Sequence, residues 1–181
     1  MSEGAAGTAS GYGRLIEEVF IDPIRTVVVV DDEFPTLDAL LDKELGNPDR
    51  SWKPENAKRA QEIIRFCRDD KRRWLVEIHD GKPPTSIAAE SEAASHLHQS
   101  DLMILDFHLD EKRPNDGGDA IRILRRLADN DHFNLVVVYT KGTGETGGDI
   151  PRIVREIALG VCRTYLKIGL IFGKIAANSI S

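Results

Sequence analysis

Residues 101–110 read DLMILDFHLD. Leu102, Met103, Ile104 and Leu105 form a short apolar run with neither helical nor alternating spacing, the pattern of a strand buried on both faces of a parallel sheet. The run ends on Asp106. In an open α/β sheet the carboxyl ends of the strands border the ligand crevice, so this carboxylate faces chemistry while a rigid element holds it. Two further runs have the same form. Thr26–Val30 ends in Asp31, Asp32 and Glu33, and Leu135–Tyr139 ends in Thr140. Together the three strands deliver an acid pair, a single acid and a hydroxyl to one edge.

The chain has 181 residues, 41% of them hydrophobic, which suits one domain with extensions around one core. With 24 basic and 30 acidic residues the net charge is −6, which gives little support to nucleic-acid binding through a basic surface. Cys67 and Cys162 stand alone, without metal-type spacing, as expected of reduced thiols in a cytoplasmic protein. Residues 1–13, MSEGAAGTASGYG, lack the basic and apolar regions of a signal peptide and are expected as a disordered leader. No membrane partner is expected. The domain proper is assigned to 14–181, with its core at 25–140 and a C-terminal helical segment over 150–176, and the chain is compatible with a truncated domain.

Outward from the strands, Leu15, Ile16, Val19 and Phe20 predict a short amphipathic helix over Arg14–Phe20 that covers the flank of the sheet. After the acid cluster, Pro35 suits a first helical turn, and Leu37, Leu40, Leu41 and Leu45 form an apolar stripe. Pro54 opens a second helix with Ala57, Ala60, Ile63, Ile64 and Cys67. Trp74–His79 alternates as an edge strand does, and Ala88–Gln99 is helical in composition. His96 and His98, two apart, face different sides of such a helix and make a poor metal site. Beyond Gly117 and Gly118 runs the stripe Ile121, Ile123, Leu124 and Leu127, and beyond Thr140 the loop KGTGETGG, which lacks the lysine and hydroxyl spacing of a P-loop. Ile153, Val154, Ile157, Ala158, Val161 and Tyr165 share a later helical face.

The motifs VVVVDDE, LMILDFHL followed by GGDAIRILRRL, and NLVVVYTKG resemble, in order, the receiver domain of two-component response regulators over roughly residues 25–140. The resemblance implies a doubly wound, flavodoxin-like parallel sheet in the order 2-1-3-4, with a fifth strand left open. It implies Mg²⁺ bound directly by Asp32 and Asp106, through water by Asp31, and by the backbone carbonyl of His108, a donor set that suits a hard cation. Asp106 is then the phosphoacceptor for a histidine kinase or phosphotransfer protein, and Thr140 donates to the transferred group. An unidentified effector protein, and a second copy of the chain, complete the partners so implied.

The chain departs from the family in three ways. Two helical patterns stand between the first two strands, where one crossover is usual. The loop from Asp106 to Gly118 is long, with Pro114 displaced. The lysine that closes the fifth strand has its expected candidate in Lys167 of TYLKIGL, without the usual proline, while Lys141 beside Thr140 either substitutes for that charge or obstructs the site. A pseudo-receiver, binding partners without phosphorylation, is therefore the alternative function. An independent hydrolase of the haloacid dehalogenase type would need a second acid where His108 stands.

Overall fold

The computed structural model describes residues 11–47, 51–81, 99–110, 112–113, 115–140, 149–161 and 170–172. Five parallel strands form one sheet in the order β2-β1-β3-β4-β5: β1 Thr26–Val30, β2 Leu75–His79, β3 Leu102–Asp106, β4 Leu135–Tyr139 and β5 Leu170–Phe172. The order of the first four matches the sequence expectation, and β5 completes it by pairing Val136 to Val138 with Leu170 to Phe172. The tail is therefore not one helix from 150 to 176. A helix over Asp149–Val161 gives way to the apolar run LIF, which covers what would otherwise be the open edge of β4.

Strand alternation divides the core. Val28, Val30, Met103, Leu105, Val136 and Val138 face the helices Gly118–Ala128 and Asp149–Val161, packing with Leu124, Leu127, Ile153 and Ile157. Val27, Val29, Leu102 and Leu135 face the opposite way with Ala60 and Cys67 of the helix Pro54–Cys67. In chain order the helices are α1 Gly11–Ile16, continued by a π-helical segment Glu17–Ile21, then α2 Leu37–Glu44, α3 Pro54–Cys67, α4 Gly118–Ala128 and α5 Asp149–Val161.

Two helices form as expected but do not pack as expected. α1 begins at Gly11, inside the assigned leader, and buries none of its residues; Leu15 and Val19 are 54% and 50% exposed. Pro23 ends the segment, and Ile24, not the helix, enters the core. α2 is capped by the Thr36 hydroxyl, which accepts from the Ala39 amide at 3.2 Å, so Pro35 precedes the cap. Its leucine stripe lies on the surface, with Leu37 68% exposed, because α3 already occupies this face of the sheet. Of the two helical patterns between β1 and β2, α3 is the crossover that covers the sheet. The segments carrying Ala88, His96, His98, Pro114, Lys141 and Cys162 lie outside the described residues.

Asp101 fixes the register at the amino edge. Its Oδ2 accepts from the Arg25 amide (2.7 Å), the Thr26 amide (2.8 Å) and the Thr26 hydroxyl (3.0 Å), clamping β1 to the start of β3. Partial burial raises its pKa, but these hydrogen bonds outweigh it and hold the carboxyl below its usual value. A depressed folded pKa contributes stability that is present above the unfolded value of about 4 and lost as pH falls through the folded one. Asp101→Asn is therefore expected to cost ~1–2 kcal/mol near neutrality. The difference from wild type should shrink as denaturation is followed below about pH 4, and a constant difference would show that ionisation of Asp101 contributes nothing.

Gly117, buried at the start of α4, lies against the ring of Phe107, which is itself fully buried. A Cβ there would fall within the ring's van der Waals surface. Gly117→Ala is expected to lower stability by ~1–3 kcal/mol through overpacking, measured by thermal or denaturant unfolding.

Candidate functional site

The parallel register places Val30 beside Leu105, so the residues that follow β1 meet the end of β3. Asp31, Asp32 and Asp106 are each buried, and ligand-capable oxygens of all three lie within 4.8 Å of one another. The sequence-predicted acids thus converge. The Asp31 amide donates to His79 O (3.0 Å), tying the loop to β2, and Asp31 Oδ1 accepts from the Glu33 amide (2.7 Å). Glu33 in turn accepts from Asn56 Nδ2 of α3 (3.1 Å). Asp106 Oδ1 accepts from the His108 amide (3.1 Å), and the Phe107 amide extends the β3–β4 ladder to Tyr139 O (2.9 Å).

Two carboxylates at such a spacing repel by about 3 kcal/mol at an effective dielectric near 20, and here three pairs do so. A proton, a hydrogen-bond donor or a cation must offset this. The donor set consists of hard oxygens without thiolate or imidazole ligands, so the residues fit Mg²⁺ and not a softer metal.

Thr140 lies beside another residue of the expected site, through a contact the sequence did not suggest: its hydroxyl is 3.2 Å from Nδ1 of His108, whose ring stands edge-on to Phe107. Tyr139, which the sequence reading passed over, reaches the acid cluster and donates its hydroxyl to Asp31 Oδ2. Burial pushes this phenol far above its ordinary pKa, and the charges of Asp31, Asp106 and Asp32 push the same way. It stays protonated and remains a donor. The available signal was positional, a tyrosine closing a valine run at a strand end.

Lys167 lies outside the described residues, and it precedes β5 in the chain by three positions. In sequence, Lys174 follows Phe172, the last residue of β5, by two positions.

A doubly wound parallel sheet whose first and third strands gather buried carboxylates at their carboxyl ends defines an α/β domain with a candidate cation site. The response receiver domain family matches residues 23–156, and the chain belongs to that family. The match runs from the entry to β1 into α5. It makes the chain a response-regulator-type signalling domain of two-component systems. No curated protein and no solved structure matches the chain.

Proposed function

We propose that the chain is a phosphoacceptor receiver in which Asp106 takes a phosphoryl group from a histidine kinase or phosphotransfer protein. The convergence of Asp31, Asp32 and Asp106 at the carboxyl end of β3 carries this reading. Asp32 and Asp106 would hold Mg²⁺ directly, Asp31 through water, and His108 by its backbone carbonyl. When bound, the cation neutralises charge on the equatorial phosphoryl oxygens.

A carboxylate oxygen of Asp106 attacks phosphorus, forming an acyl phosphate as the P–N bond to the donor histidine breaks. The electron pair leaves with the imidazole, which takes up a proton. Thr140 turns its hydroxyl from His108 toward the transferred group, and Lys174 supplies the cationic partner in place of Lys167 or Lys141. The added charge of about −1.5 to −2 gives the surface around Thr140 two states that an effector protein distinguishes. A cytoplasmic location belongs to this reading. Among the described residues, no helix is long and apolar enough to cross a membrane.

Incubation with Mg²⁺ and a small phosphodonor is expected to give a phosphoadduct by intact mass, absent from Asp106→Asn. No adduct on the wild type would assign the chain to the phosphorylation-independent alternative. Mg²⁺ should raise the Tm, by about 2.7 kcal/mol of stabilisation at a hundredfold excess over Kd, and Asp32→Asn should abolish the shift. Lys174→Ala is expected to slow adduct formation on the order of 100-fold, with Lys167→Ala and Lys141→Ala close to wild type. Slowing by either of those two instead would move the charge role to that residue.

A further inference from the structure

Tyr139 has no part in the phosphoryl chemistry assigned above, yet its hydroxyl reaches Asp31. The β3–β4 register sets Tyr139 opposite Asp106, and β1 lies on the far side of β3. Neighbouring strands are about 4.8 Å apart, so a group passing from β4 to the end of β1 must cross about 9.6 Å over the end of β3. A tyrosine spans that gap when its hydroxyl meets a carboxylate coming the other way, as it does at Asp31 Oδ2. With Oδ1 already held by the Glu33 amide at 2.7 Å, both oxygens of Asp31 are anchored.

We propose that Tyr139 is a positioning residue of the cation site, fixing the Asp31 carboxylate across the end of β3; this rests on the metal reading above. Mg²⁺ demands near-ideal octahedral geometry, whereas Ca²⁺ tolerates variable angles and ligand numbers. A carboxylate anchored at both oxygens presents its remaining lone pairs, or the water it holds, in one direction. That restriction favours the smaller ion. Hydrogen-bond partners that orient ligands typically contribute 10- to 100-fold to metal affinity.

The test is calorimetric titration of the full chain with Mg²⁺ and with Ca²⁺. Tyr139→Phe keeps the ring and removes the donor. It is expected to weaken Mg²⁺ binding at least about tenfold and Ca²⁺ binding less. In an Asp31→Asn background it should add no further loss, because Tyr139 acts through Asp31. Mg²⁺ affinity of Tyr139→Phe equal to wild type, with Asp32→Asn still abolishing binding, overturns this proposal and leaves the metal reading intact. Equal losses for both ions, with a lower Tm in chelator, assign Tyr139 a packing role and also overturn it. A wild type that binds no Mg²⁺ overturns both.

Discussion

Mutual repulsion among three buried carboxylates is the constraint on which the site depends. Unrelieved, it would push the ends of β1 and β3 apart, and framework contacts act beside the Tyr139 hydroxyl to keep the acids within 4.8 Å. Those contacts are visible on every side. The valines of β1 and the apolar run of β3 are nearly all buried, the Asp31 amide is bonded to β2, and the ladder from β3 to β4 continues through Phe107. Burying those strands on both faces is what lets the sheet carry like charges at its rim.

The same framework explains which parts of the fold were legible in the sequence. Strands β1, β3 and β4 announce themselves because parallel strands buried on both faces are continuous apolar runs, and a run that stops at an acid marks its own carboxyl end. Asp31, Asp32 and Asp106 could therefore be assigned to one edge without coordinates. The helices were legible in period but not in packing. The apolar stripes of α2 and of α1 with its π-helical extension have the spacing of buried faces, yet α3 occupies the β1–β2 groove and fills it with the small residues Ala60 and Cys67. Periodicity says that a face is apolar; it does not say whether a partner exists for it.

Tyr139 was illegible for a different reason. Its partner is 108 positions away, and the contact crosses an intervening strand, so it depends on strand order and register together. No local pattern encodes such a contact. β5 was hidden by its length: it spans three residues, too short to stand out from the helical pattern before it. With β5 paired to Val136–Val138, Lys167 precedes the strand in sequence and Lys174 follows it.

β3 begins after one aspartate and ends on another, and their different fates follow from their surroundings. Asp101 at the amino edge meets the amides of Arg25 and Thr26 and the Thr26 hydroxyl, neutral donors that converge on its Oδ2 and stabilise its charge. It is a structural clamp. Asp106 at the carboxyl edge accepts from the His108 amide but shares its burial with two further carboxylates. Residue type is identical and sequence distance is five. Strand direction decides the outcome, because β1 enters the sheet beside Asp101 bringing N–H groups and leaves it beside Asp106 bringing acids. A parallel sheet thereby sorts like residues into a backbone clamp at one edge and a gathering of acids at the other.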